Sequence, residues 1–274
     1  MSGGRSDAQA AGLSCSLLLV AVVAPAQVAP NRTTLYLHPT DVTDARALWV
    51  NPAGLGRFQE ASLHLDLTVG NPGAAGRLRQ LTLGFNSRGF SFGYQRDVFA
   101  DGLRGHTYRL GFAGGRAGLA AGVATALYRG GTSGTGWDAG IQYEVAPQLT
   151  IGGVIKNVGQ PTVRDSTLQA AYVPGATLRL FAARAALSVH GRFTSDGVAG
   201  YALGVRAGLR EGTALPLRLL ARIDTDRSLR RTGLAFSLSL GGQDAIGIVA
   251  TAPGDATRLD ALSLYGLSTR RLTR

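Results

Sequence analysis

The sequence predicts an all-β protein, an antiparallel transmembrane β-barrel of about fourteen strands behind a short N-terminal arm, and three observations carry that expectation. Residues alternate apolar and polar with period two, as in Leu63-His64-Leu65-Asp66-Leu67-Thr68-Val69, and the pattern recurs along most of the chain. Only 16% of the residues are charged, against about 25% in a typical soluble domain, as suits a surface facing lipid. An apolar run near the N-terminus reads as an export signal, which routes the chain towards a membrane outside the cytoplasm.

That signal covers residues 1–26. Arg5 precedes the run Leu17-Leu18-Leu19-Val20-Ala21-Val22-Val23, and Ala24-Pro25-Ala26 offers small residues for cleavage. No later stretch approaches 18 consecutive apolar residues, so a spanning helix is not expected. Cys15, the single cysteine, falls inside the signal and leaves no disulfide framework or cysteine metal site. Residues 27–60 alternate poorly and contain Pro30, Pro39 and Pro52. They read as an irregular arm with one short helix between Asp41 and Val50.

From Ala61 to the C-terminus the rhythm predicts one domain, 61–274. Fifteen strand segments can be drawn: 61–69, 77–85, 89–96, 105–114, 117–128, 135–145, 148–156, 168–174, 176–183, 186–193, 200–210, 215–224, 231–240, 244–251 and 260–267. Single-chain barrels close with an even number, and 168–174 is the weakest segment, so fourteen is the expected count. Turn chemistry separates the segments at Asn71-Pro72-Gly73, Asn86-Ser87-Arg88-Gly89, Gly114-Gly115-Arg116, Val145-Ala146-Pro147, Val173-Pro174-Gly175 and Gly241-Gly242. Longer polar links lie between these turns, and short and long links alternate as in outer-membrane barrels.

Charges recur in the middle of strands on the polar face. An arginine on the lipid face near the midplane costs about 2–4 kcal/mol, so these side chains are expected inside. The lumen would then hold Arg109, Arg179, Arg192, Arg206, Arg218 and Arg222, with Asp66, Asp138, Glu144 and Asp224 as counter-charges. Such a set either pairs internally and stiffens the barrel or binds an anionic headgroup. The net charge is +11, almost all of it arginine, since Lys156 is the single lysine. Its dispersal along the strands argues against nucleic acid, which needs a compact basic face.

The sharpest local string is Ala47-Leu48-Trp49-Val50-Asn51-Pro52-Ala53-Gly54-Leu55-Gly56. Asn-Pro starts a turn and Gly54 is expected to free the next bend. The Asn51, Pro52, Ala53 and Gly54 string resembles the signature of the long-chain fatty acid transporter (FadL-like) family and of related PorV-like outer-membrane proteins. Asp41-Val42-Thr43-Asp44-Ala45-Arg46 is similar to the stretch leading into it, and Gly153-Val154-Ile155-Lys156-Asn157-Val158-Gly159 resembles a strand-end pattern of PorV-like relatives. The resemblance implies a fourteen-stranded barrel in the bacterial outer membrane, with Asn51 to Ala53 in or near a lumenal plug. It also implies outer-membrane lipid and the barrel-assembly machinery as partners. The chain departs from the family in being short and in ending on Arg270, Arg271 and Arg274 without a terminal aromatic residue.

Catalytic patterns are weak. His64 and Asp66 share a face, yet neither a nucleophile elbow nor a third partner accompanies them. Gly114–Gly118 and Gly130–Gly134 lack the helix and the Lys-Ser/Thr ending of a phosphate loop. The expectation is a non-enzymatic barrel, without cofactor or metal, that passes small hydrophobic or anionic amphipathic molecules. The alternative is a non-conducting PorV-like scaffold or shuttle in protein secretion or surface attachment.

Overall fold

The computed structural model describes residues 34–70, 78–99, 102–130, 134–163, 166–210, 212–213 and 215–272. The expected signal segment lies outside these residues. The strands are β1 (Glu60–Gly70), β2 (Leu78–Ser87), β3 (Phe90–Val98), β4 (Arg104–Arg116), β5 (Leu119–Arg129), β6 (Gly134–Ala146), β7 (Leu149–Val158), β8 (Thr162–Val163), β9 (Ser166–Thr167) and β10 (Ala171–Leu180). They continue with β11 (Ala185–Thr194), β12 (Gly197–Leu209), β13 (Leu217–Thr225), β14 (Arg231–Gly241), β15 (Asp244–Pro253) and β16 (Ala261–Arg271). Fourteen of these form one closed antiparallel barrel, and β8 with β9 make a small hairpin in the link from β7 to β10. Closure joins β16 to β1, from Glu60 opposite Arg271 to Gly70 opposite Ala261.

The alternation predicts the faces. Leu63, Leu65 and Leu67 are 42–50% exposed on the outside, while His64, Asp66 and Thr68 are fully enclosed. Exposed leucines in such numbers would be costly in water and are at home in hydrocarbon. Two-residue turns connect β2 to β3 and β4 to β5. Arg88 with Gly89 and Ala117 with Gly118 adopt positive φ at both central positions, the turn that matches strand twist. These turns share one end of the barrel with the entry to β1 and the exit from β16, here the turn end. Most of the longer links, including 159–170, lie at the opposite, loop end, with 210–216 an exception at the turn end and 195–196 a two-residue link at the loop end.

Two expectations need correction. Val173-Pro174-Gly175 is not a turn, and segments 168–174 and 176–183 are not separate strands. Residues 171–180 run on as one strand, held by an unbroken ladder to β7 in which Pro174 faces Gly153 and Gly175 faces Gly152. Long-range pairing overrides the local punctuation of Pro-Gly, and the count of fourteen survives because two segments merge.

Candidate functional site

Residues 34–56 lie inside the barrel, and Arg57 to Gln59 lead out to β1. Only Ala47–Val50 form an α-helical turn, and Pro52–Gly56 form a 3-10 turn. The apolar arm residues Ala47, Leu48, Ala53 and Leu55 are 0% exposed. Asn51 is the hub: its Nδ2 donates to Pro39 O at 2.9 Å and to Gly153 O of β7 at 3.3 Å, while its Oδ1 accepts from Ala53 N. Pro52 follows at the first position of the 3-10 turn, where no N–H is needed. Gly54 serves packing and not a bend, because an added Cβ would overlap Val42 O.

The wall is hollowed to admit the arm. A Cβ at Gly84 would come within 2.7 Å of the Trp49 ring, at Gly93 within 2.7 Å of Leu48 and Trp49, and at Gly111 within 2.6 Å of Leu48. Gly122 receives Pro52, Gly140 receives the Asn51 side chain and Gly204 receives His38.

The six predicted arginines all lie on inward-facing strand positions, in different settings. Arg109 donates to Asp138 at 2.8 Å and to the arm carbonyl of Leu48 at 3.0 Å. Arg206 lies 3.3 Å and Arg179 3.8 Å from Asp41 of the arm. Arg222 pairs with Asp224 at 2.6 Å and donates to Leu37 O. Arg218 lies four residues nearer the turn end on the same strand. Arg192 is exposed to the lumenal cavity. Glu144 pairs with Arg57 of the arm, and His64 lies 3.8 Å from Asp66. Arg179, Arg206 and Asp41 thus come together, whereas Arg109 and Arg222 keep separate partners.

Sequence reasoning missed three contributors. Asp41 is a counter-charge 165 residues from Arg206. Lys156 donates its Nζ to Trp49 O at 2.6 Å. His38 meets His190 with Nδ1 atoms 2.9 Å apart. The only signal for Asp41 and Lys156 was their place in the two quoted strings.

Burial, with Arg222 nearby, pushes His38 from its ordinary 6.5 down to about 3. The unfolded chain therefore binds a proton below pH 6.5 that the folded chain refuses. This contribution to stability is complete above pH 6.5 and is lost as pH falls towards 3, by at most about 1.4 kcal/mol per pH unit. Urea titrations at pH 7 and pH 5 are expected to show a steeper acid loss for wild type than for His38→Asn. Equal losses would count against this pairing.

Above the arm, on its loop-end side, is a cavity of about 720 Å³. Its floor is apolar, made by Leu35, Leu37, Pro39, Trp49 and Val50. Its walls carry Arg109, Lys156, His190, Arg192 and Arg222, and Leu168 beside the β8–β9 hairpin overhangs it. Beside His190 and Val173, which also lines the cavity, the barrel wall is weakly sewn. The β10–β11 ladder pairs Tyr172 with Phe193 and Gly175 with His190, leaving Val173/Arg192 and Pro174/Gly191 unbridged. Pro174 has no N–H to donate, and such a residue is unusual in a strand with neighbours on both sides. At the same height β11 shifts register against β12 between Arg192 and Phe193. Gly191 adds no side chain to close the seam.

No protein-family model matches the sequence, and no curated protein does either. Solved structures do match. The CymD monoaromatic hydrocarbon channel aligns with a TM-score of 0.56 at 10% identity, covering 87% of this chain and 95% of that one. The Ralstonia pickettii toluene transporter TbuX aligns with a TM-score of 0.56 at 15% identity, over 84% and 94%. The P. putida toluene transporter TodX follows at 0.53 and 11%, over 85% and 95%. At these identities the likeness is one of architecture, and the chain shares its barrel fold with hydrocarbon channels and transporters.

Proposed function

We propose that this protein is a bacterial outer-membrane barrel, exported by the signal in residues 1–26, that gives small hydrophobic or amphipathic molecules a passive route across the outer membrane. The loop end faces outward, since outer-membrane barrels keep short turns on the periplasmic side. The observation that carries the reading is the cavity with its apolar floor, which abuts the unbridged stretch of β10 and β11. A molecule entering from the loop end meets the arm as a plug and the weak seam at its side. Arg192 and Lys156 favour an acidic headgroup over a cationic one. The toluene transporters that share the fold support an apolar cargo, and passive movement requires no energy source or cofactor.

Pro174→Val restores the missing N–H and is expected to tighten the seam. Cells whose outer membrane carries the wild-type chain should take up labelled toluene several-fold faster than cells without it, and the Pro174→Val variant should lose most of that gain. Uptake equal to that of cells lacking the protein would sink the transport reading and leave a non-conducting scaffold.

A further inference from the structure

Outside the barrel, near the loop end of β3, β4 and β5, basic side chains stand in a row that the lumenal site does not use. Cross-strand register sets Arg96 beside His106 and His106 beside Arg129, and Arg104 is the next outward residue of β4. These positions share the outward face with the exposed Phe92, Tyr108 and Phe112. Three arginines gathered on neighbouring strands make this sector positive, and an anion set among them would meet charge-assisted donors. No Asp or Glu occupies an outward position of these three strands. Arg129 donates to the Tyr128 carbonyl, and Arg96 Nε is buried without a hydrogen-bond partner. Near the loop ends of most other strands the outward positions hold residues such as Thr135, Tyr172, Phe193, Ile223 and Leu262, with Arg231 of β14 a lone arginine that donates to the Gly254 carbonyl. Among the described residues, three arginines on adjacent strands thus gather in the sector of β3 to β5.

Below the row the chemistry changes in steps. Tyr94 Oη lies 2.8 Å from His106 Nδ1, and its ring leans on Tyr108 at 5.3 Å. Beneath these come Phe92 and Leu110, then the Phe90 and Phe112 rings 5.4 Å apart. Basic groups, then phenols, then hydrocarbon is the order of an upright lipid with a phosphorylated head.

We propose that this arc docks the phosphorylated glycolipid of the outer leaflet, lipopolysaccharide. Its phosphates are held by Arg96, Arg104 and Arg129, and its acyl chains lie on the aromatic wall below. The assignment rests on the outer-membrane reading, with the loop end outward, because that leaflet is where this lipid resides. Charge complementarity selects the occupant: three guanidiniums match clustered phosphates, and the apolar wall beneath excludes a free anion as the natural ligand.

The test titrates the purified full chain in detergent with lipopolysaccharide, phosphatidylglycerol or inorganic phosphate, read by native mass spectrometry and by the shift in unfolding temperature. The double variant Arg96→Gln/Arg129→Gln is expected to bind lipopolysaccharide about tenfold more weakly than wild type. Arg258→Gln, in an exposed loop away from the arc, is expected to change nothing. Phosphatidylglycerol and inorganic phosphate should bind wild type at least about tenfold more weakly than lipopolysaccharide does. Should the double variant fail to fold, Arg104→Gln reads the same loss. Equal affinity of wild type and variant overturns the proposal, as does phosphate or phosphatidylglycerol binding as tightly as lipopolysaccharide. The titration needs neither transport nor a cellular location. Intact, arc-dependent affinity in a protein that fractionates away from the outer membrane supports the docking site and refutes only the location.

Discussion

Replacing Arg109 by leucine is expected to destabilise the barrel by about 3–5 kcal/mol, the usual cost of stranding one member of a buried ion pair. Arg109 and Asp138 are 8% and 3% exposed. With the guanidinium gone, Asp138 keeps the Asn157 N–H as a donor and Lys156 in its neighbourhood but loses its paired counter-charge. The arm is hit as well, because Arg109 also holds the Leu48 carbonyl. Urea titration of the refolded chain, followed by tryptophan fluorescence, measures the loss. The double variant Arg109→Leu/Asp138→Leu should recover part of it, since the carboxylate is no longer left without its guanidinium, although the Leu48 carbonyl and the Asn157 N–H still lose these partners. A single variant within about 1 kcal/mol of wild type would show the pair to be solvated and its burial unimportant.

Excising residues 27–59 is expected to turn a sealed barrel into an open one. In liposome swelling, wild type should admit no disaccharide, and the excised chain should admit it freely. Among the described residues the arm fills the middle of this lumen, and a fourteen-stranded barrel approaches the size at which an unfilled interior becomes an aqueous channel. Gly140→Leu gives an independent reading with the arm retained. The new side chain enters the space of the Asn51 carboxamide, unseats the hub and should produce partial swelling. Swelling that is the same in wild type and both variants would mean that the arm does not seal the pore.

The fold was largely legible because a membrane barrel repeats one rule at every strand. A residue's parity decides its solvent, and Leu63, Leu65 and Leu67 part from His64, Asp66 and Thr68 without help from distant sequence. Pro174-Gly175 was misread for the opposite reason: the residues that hold it extended, Gly152 and Gly153, lie on another strand. The arginines could be assigned to the interior, but their partners could not. Arg206 finds Asp41 and His190 finds His38 across more than 150 residues, and no periodicity links an irregular arm to a strand. The outer basic row was likewise hidden, because Arg96, His106 and Arg129 become neighbours only once the register of three strands is known.

The hollowed wall has a consequence for how this protein can change. Six inward positions, Gly84, Gly93, Gly111, Gly122, Gly140 and Gly204, hold the outline of Trp49, Leu48, Pro52, Asn51 and His38 as a mould holds a casting. Relative to alanine, a strand-interior glycine sacrifices about 0.5–1 kcal/mol, so the mould costs about 3–6 kcal/mol that the seated arm must offset. Barrel and arm are thereby locked into joint inheritance: neither can be exchanged for a relative's version alone, because a bulkier wall evicts the arm and a slimmer arm leaves the wall with empty niches.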